Sequence, residues 1–243
     1  MKNVKILLRR VILSCLVWAA WSCLAWGQGT VISPELMKEI TEGHARLKEY
    51  TQTVSGKIVR ETMSADDEQT VLSSTRLNFY CQPDSTRLEY FFPREDANTL
   101  PRHDYGSITN GFHHDLEILY TPGGLEITDK LEKEIESVEN ISYEGVGNAI
   151  CITSKKVASR SLTEYEWKMI LNPEEHYSLM YYETRYDHNN NDYPLHTVSV
   201  TKVTSQTIES GEILPCEIIR SDKINGEERY TQRTRIEITS TKE

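Results

Sequence analysis

From Val54 onward, apolar and polar residues alternate in short runs, and this period of two constrains the fold more than any other feature of the chain. Side chains on a β-strand point alternately to opposite faces, so such a run buries one face of a sheet and exposes the other. Clear examples run from Leu77 to Cys81 and from Tyr165 to Leu171. Because short turns rather than helices separate the runs, the pattern predicts antiparallel pairing.

One helix precedes these strands. Ser33 is a suitable N-cap and Pro34 suits the first helical position, after which apolar residues recur at three- and four-residue spacing to about Tyr50. A second, shorter helix is predicted near 129–138, because Leu131, Ile135 and Val138 are spaced as on one helical face.

About ten or eleven strands follow from the alternation and the turn signals between runs. They are predicted around 54–58 and at 69–82, 86–92, 112–120, 124–128, 148–156, 163–171, 177–186, 195–206, 213–221 and 228–239. The fold class is therefore α+β. We expect one strongly curved antiparallel sheet, an incomplete barrel, with the N-terminal helix packed in its hollow.

The first 27 residues have the pattern of a secretory signal peptide. Four basic residues precede an uncharged, largely apolar stretch from Val11 to Trp26, and Ala25-Trp26-Gly27 fits a cleavage site. The sequence thus predicts export to the periplasm or another extracytoplasmic space, with residues 28–243 forming a single domain and no stable membrane span after cleavage. An uncleaved anchor, or lipidation of Cys23 or Cys15, remains an alternative.

Charge excludes some partners. Without the first 27 residues the chain holds 23 basic against 37 acidic residues, a net charge of −14. Nucleic acid requires a basic surface, and anionic lipid attracts one as well, so neither is an expected electrostatic partner. The mature chain would keep Cys81, Cys151 and Cys216; export permits a disulfide, but spacing does not decide whether one forms.

No catalytic motif, metal site or cofactor site is predicted. The polar run 187–192 lacks the glycine and glutamate of a calcium-binding EF-hand loop and is interpreted as a turn. His113-His114-Asp115 is interpreted as an exposed turn, because neighbouring residues on a strand point to opposite faces. Nucleophile, zinc and phosphate-loop signatures are absent from the sequence, so the chain is not expected to be an enzyme.

Aromatic and aliphatic residues on the predicted strands form the candidate site. If the sheet curls without closing, some of them line an apolar hollow of the kind that binds small ligands. The candidate residues are Leu77, Phe79, Leu88, Tyr90, Tyr165, Trp167 and Met169.

Three short motifs are similar to those of the periplasmic lipoprotein-carrier superfamily, the LolA- and LppX-like proteins. The stretch from Trp167 to Tyr177, WKMILNPEEHY, resembles a strand ending in (L)DP…Y, and 211–215, GEILP, resembles a later strand. The stretch 86–90, TRLEY, resembles an early one. The resemblance covers roughly residues 35–240 and implies an incomplete barrel around helices that holds acyl chains. It implies no catalytic residue.

Two hypotheses of function follow. In the first, the domain binds a lipid or lipoprotein acyl group in the hollow; in the second, it is a ligand-free scaffold or interaction domain of the cell envelope. A hollow left open favours binding, and a hollow filled by the protein's own side chains favours the scaffold. An exported hydrolase is a distant third and would require a nucleophile beside a base.

Overall fold

The computed structural model describes residues 32–52, 54–64, 70–82, 85–90, 115–122, 127, 131, 135–154, 157–158, 163–188, 195–208 and 210–241. The predicted signal peptide, Cys15, Cys23, His113 and His114 lie outside these residues, as does most of the predicted strand at 124–128. Residues from Ile32 onward belong to one compact unit.

One α-helix and eleven β-strands make up the described fold, with a 3₁₀ turn at Pro173–Glu175. The elements in chain order are α1 (Pro34–Thr51), β1 (Val54–Met63), β2 (Val71–Gln82), β3 (Ser85–Tyr90), β4 (Ile135–Tyr143), β5 (Val146–Ser154), β6 (Val157–Ala158), β7 (Thr163–Asn172), β8 (Ser178–His188), β9 (Leu195–Thr207), β10 (Ile213–Ile224) and β11 (Glu227–Thr241).

All the strands belong to one antiparallel sheet in the order β3-β2-β1-β11-β10-β9-β8-β7-β5-β4, with β6 paired to β7. Most neighbours in the sheet are neighbours in the chain, as short turns require. The exceptions are β5, which pairs with β7, and β1, which pairs with β11, so that the last strand lies beside the first. The sheet is curved but does not close, and β3 and β4 form its two edges. The predicted fold class, an antiparallel incomplete barrel with a leading helix, is confirmed.

Helix α1 packs on one face of this sheet, which we call the inner face. Its N-cap is Ser33, whose side chain accepts a hydrogen bond from Leu36 N, as predicted. Ile40 and Leu47 are fully buried on a stripe directed at β8 and β10. Among the described residues, no helix combines the length and apolar character needed to cross a membrane.

The second predicted helix is wrong at Ile135 and Val138, which belong to strand β4. A β-bulge between Ile135 and Ser137 inserts an extra residue, so two side chains three positions apart point to the same inner face. The bulge therefore imitates the spacing of a helical turn.

The strand predicted at 112–120 is also wrong in its described part. Residues 115–117 form a helical turn, and the amides of Tyr120 and Thr121 donate to Glu117 O at 3.1 and 3.0 Å. Leu116, Ile118 and Leu119 are all buried, without the alternation of a strand. This segment packs onto the main hydrophobic core.

Candidate functional site

The structure places the candidate residues on two distant parts of the sheet. Leu77 and Phe79 lie on β2, whereas Trp167 and Met169 lie on β7; all four are buried in one continuous core, and Tyr165 packs against it half-buried. Five strands separate β2 from β7 in the sheet, so its curvature brings both into the same core.

Two further candidates, Leu88 and Tyr90, lie on β3. Their backbones pair with Phe79 and Leu77 respectively, which places them beside the inner-face positions of β2. Their side chains are outside the described part of the structure.

The apolar part of the inner face is covered by the protein's own side chains. We call the covering elements the cover: α1, residues 115–122, Ile127 and Leu131. The cover contributes to the core the buried side chains of Ile40, Leu47, Leu116, Ile118, Leu119, Tyr120, Ile127 and Leu131. The candidate residues Leu77, Phe79, Trp167 and Met169 thus share one core with the cover.

Specific contacts attach the cover to the sheet near the turn between β7 and β8. Leu179 N donates to Leu119 O at 2.9 Å, and His44 Nε2 lies 2.9 Å from Tyr177 O. Within the cover, Tyr120 Oη and Thr51 Oγ1 are 3.2 Å apart.

Gly43 of α1 approaches the same turn so closely that a Cβ there would lie 2.5 Å from His176 O. This close approach therefore requires a glycine inside α1.

The His176–Tyr177 turn that receives α1 adopts left-handed backbone conformations at both residues, with φ values of 56° and 59°. Burial, and secondarily the charge of Arg46, lower the pKa of His176, which favours its neutral form. Tyr177 Oη donates to Glu39 of α1, and Tyr50 Oη lies 3.4 Å from His176 Nε2. Polar contacts between α1 and the His176–Tyr177 turn thus lie beside the point where Gly43 approaches His176.

Beyond the apolar part, the inner face becomes polar on three adjacent strands. On β1, Ile58 is followed two positions later by Arg60; on β10, Ile218 is followed by Arg220. Strand β11 lies between β1 and β10 and runs antiparallel to both. Its Thr234, two positions before Ile236, pairs with Arg60 on β1 and with Ile218 on β10.

Asp115 joins the cover to this polar part. Its carboxylate is completely buried, with Oδ2 accepting from Arg60 and Oδ1 accepting from Arg220. The sequence interpretation of His113-His114-Asp115 as an exposed turn is therefore wrong at Asp115. The sequence did contain a signal for a buried charge on the strands. Arg60 and Arg220 each lie two positions from an inward-facing isoleucine, Ile58 and Ile218, and so point to the same inner face.

The outer face carries a smaller apolar cluster of Ala149, Cys151 and Ile170, with Tyr143 and Tyr181 packed against it. A polar pocket of about 220 Å³ is lined by residues of β4, β5, β7 and β8, among them Glu136, Glu166, Glu183, Lys168 and Arg185. Its mixed charges largely pair with one another, since Arg185 binds Glu183 and Glu166.

Cys81 and Cys151 are buried and Cys216 is half-buried, and no disulfide joins these three cysteines. Burial raises the pKa of both Cys151 and Cys216, which disfavours the nucleophilic thiolate. No cluster of His, Cys, Asp and Glu suited to a metal ion occurs among the described residues.

The fold and this site define an open antiparallel half-barrel whose inner face has a covered apolar part and an arginine-bearing polar part. Comparisons with protein-family models, with curated proteins and with solved structures found no match. The likeness to lipoprotein carriers therefore rests on three short sequence motifs and supports a proposal of function, not an assignment.

Proposed function

We propose that this domain is an exported protein that binds the acyl chain of a lipid or lipoprotein between the inner face and its cover. The observation that supports this proposal most directly is that a helix and a short helical segment, not a second sheet, cover the apolar inner face. Such a cover buries residues of β2 and β7 while leaving the sheet unclosed. Displacement of the cover would expose an apolar trough for an acyl chain.

The energetics of this proposal are favourable for a long chain. Each buried methylene contributes about 0.8 kcal/mol, so about ten of them exceed the association cost of several kcal/mol. The acyl chain would take the place of cover side chains such as Leu119, which is fully buried. The free energy of binding must therefore also offset the loss of contacts between the cover and the sheet.

A ligand-free scaffold is the second candidate, and the packing of the core favours it. Phe79 and Met169 are already completely buried by the protein's own side chains. In this alternative the cover is a permanent layer of the core, and the exposed surface of the domain carries its function.

A thermal-shift series on protein stripped of endogenous lipid separates the two. Palmitate and a diacylated peptide should raise the melting temperature, because a ligand held only by the folded state stabilises it, while butyrate should not. Leu119→Ala, which empties space under the cover, should increase the shift despite its own destabilisation of about 2–5 kcal/mol. The matched control is Ile170→Ala, which empties space in the outer cluster instead. No shift for either the unaltered protein or Leu119→Ala would favour the scaffold.

Export is part of the same proposal and is tested separately. The basic start, the apolar stretch from Val11 to Trp26 and the Ala-x-Gly site support cleavage after Gly27. N-terminal sequencing of the protein recovered from outside the cytoplasm should begin at or within a few residues of Gln28. Recovery of intact Met1, or of a lipid-modified Cys23, would contradict it.

A further inference from the structure

Another pocket, of about 230 Å³, lies on the outer face of the sheet. Strands β9, β10 and β11 supply most of its lining, and the end of β1 completes it. Ile218 of β10 is buried on the inner face, so its neighbour Ile219 points to the opposite side of the strand, where it lines this pocket. The pocket is therefore separate from the cover and from the apolar part of the inner face.

The register of the sheet arranges the lining residues in three rows. In the first row, Ile219 of β10 lies between Lys202 of β9 and Arg233 of β11. In the third row, Lys223 of β10 pairs with Glu228 of β11. The second row, between these two, consists of neutral residues: Val200, Ser221, Thr231 and Met63. Positively charged residues thus lie on both sides of a neutral row that is partly apolar.

The basic groups of the pocket have donors without an acceptor. Lys202 and Lys223 form neither an ion pair nor a side-chain hydrogen bond with any part of the chain that the structure describes. The Nε atom of Arg233 is buried without a hydrogen-bond partner, and it lies 3.6 Å from Glu217 Oε1, which is too far for a hydrogen bond. These three side chains can therefore donate to a bound group.

The carboxylates near the pocket are engaged elsewhere. Glu228, the one acidic residue of the described lining, accepts a hydrogen bond from Thr231 at 2.5 Å. Glu61 on β1 binds Arg235 at 2.6 Å. Glu183 on β8 binds the arginine two positions further along its own strand, also at 2.6 Å. None of these contacts involves the two lysines.

We infer that this pocket binds a small organic anion, whose carboxylate or phosphate group is held by Lys202, Lys223 and Arg233. Hydrogen bonds from charged donors to such groups are stronger than neutral ones. The apolar part of the ligand would lie on Ile219 and Val200. A cavity of about 150 Å³ holds benzene, so this pocket has room for a body of that size. The site is independent of acyl binding on the inner face.

Isothermal titration of the protein stripped of endogenous lipid tests the inference. Benzoate and phenyl phosphate should bind at least about fivefold more tightly than benzyl alcohol, because one exposed ion pair contributes up to about that factor. Acetate and inorganic phosphate, which lack the ring, should bind at least about fivefold more weakly than their aromatic counterparts. Raising the salt concentration from about 0.01 M to about 1 M should remove most of the preference for anions, since salt screens exposed charges.

Variants place the ligand in the pocket. Lys202→Met and Lys223→Met should each weaken the binding of benzoate about two- to fivefold and leave that of benzyl alcohol unchanged. Glu228→Gln should strengthen the binding of benzoate, because it removes a negative charge from the lining. The matched control is Lys57→Met on the same face, outside the pocket, where the lysine lies 3.9 Å from Glu237; it should leave the affinity unchanged.

Each contrary result overturns a stated part of the inference. Equal affinity for benzoate and benzyl alcohol would overturn the preference for an anion. Inorganic phosphate bound as tightly as phenyl phosphate would overturn the contribution of an apolar body. A loss for Lys57→Met as large as that for Lys202→Met would show that net charge, not this pocket, attracts the anion. Absence of binding by every probe would overturn the site and leave the proposed acyl binding untouched.

Discussion

Asp115 shows how much of the site depends on contacts between residues far apart in the chain. Its two partners lie 55 and 105 positions away, on β1 and β10. The sequence pattern predicted a strand over 112–120 and an exposed turn at His113-His114-Asp115, so no local pattern marked Asp115 as buried. The inward phase of Arg60 and Arg220 was visible in the sequence, but the identity of their partner depends on how the cover folds back onto the sheet.

Asp115→Asn should destabilise the domain by about 3 kcal/mol, because it removes the buried carboxylate that pairs with both Arg60 and Arg220. Removing one partner of a buried pair costs about 3–5 kcal/mol, and the partial exposure of the arginines favours the lower end. Urea denaturation measures the change, with Glu227→Gln as control, whose exposed pair with Arg229 should contribute less than about 0.5 kcal/mol. A loss for Asp115→Asn as small as the control's would contradict the buried ion-pair assignment.

Trp167→Ala should cost about 3–5 kcal/mol, the range for large aromatic side chains in cores. Trp167 is only 3% exposed and shares its strand face with Met169, as the alternation predicted. Leu72→Ala on β2, at a position 65% exposed, is the control and should stay within about 0.5 kcal/mol. Denaturant midpoints that shift equally for both would show that Trp167 is not a core residue.

At the scale of elements, periodicity predicted the long regular strands and failed where a strand is irregular. The face shared by Leu77, Phe79 and Cys81 is confirmed, because β2 is regular there and buried on one side. Strand β4 was missed because its bulges break the period of two. The segment 115–120 does not follow the period of two, because Leu116, Ile118 and Leu119 are all buried in the main core.

Gly43 provides a test of how α1 docks. At an unobstructed position in a helix, Gly→Ala stabilises by about 1 kcal/mol. Here the new Cβ would lie 2.5 Å from the carbonyl oxygen of His176, a backbone atom that cannot easily move. Gly43→Ala should therefore destabilise by about 1–3 kcal/mol, the usual cost of overpacking.

The melting temperatures of Gly43→Ala and of a control, Glu42→Ala, test this expectation. Glu42 is the neighbouring residue and is exposed. The Glu42 variant should change stability by less than about 0.5 kcal/mol. A melting temperature for Gly43→Ala above that of the unaltered protein would show that α1 does not approach the turn this closely.

For the molecule as a whole, the architecture was more predictable than the site. Consecutive strands joined by short turns pair with their chain neighbours, so an antiparallel sheet followed directly from the alternation. The pairing of β1 with β11 brings the two ends of the domain together, which no local pattern encodes. Whether the inner face is filled also depends on a segment that lies between β3 and β4 in the chain, far from the residues it covers.

Native mass spectrometry of the protein, purified without detergent from the envelope of the cells that make it, tests the central claim most directly. We expect a fraction of the molecules to carry a non-covalent adduct with the mass of an acyl lipid, and a larger fraction for Leu119→Ala, which leaves more room under the cover. Spectra that contain only the mass of the bare chain, for both proteins and under the gentlest ionisation, would contradict acyl binding and leave the scaffold as the function of the domain.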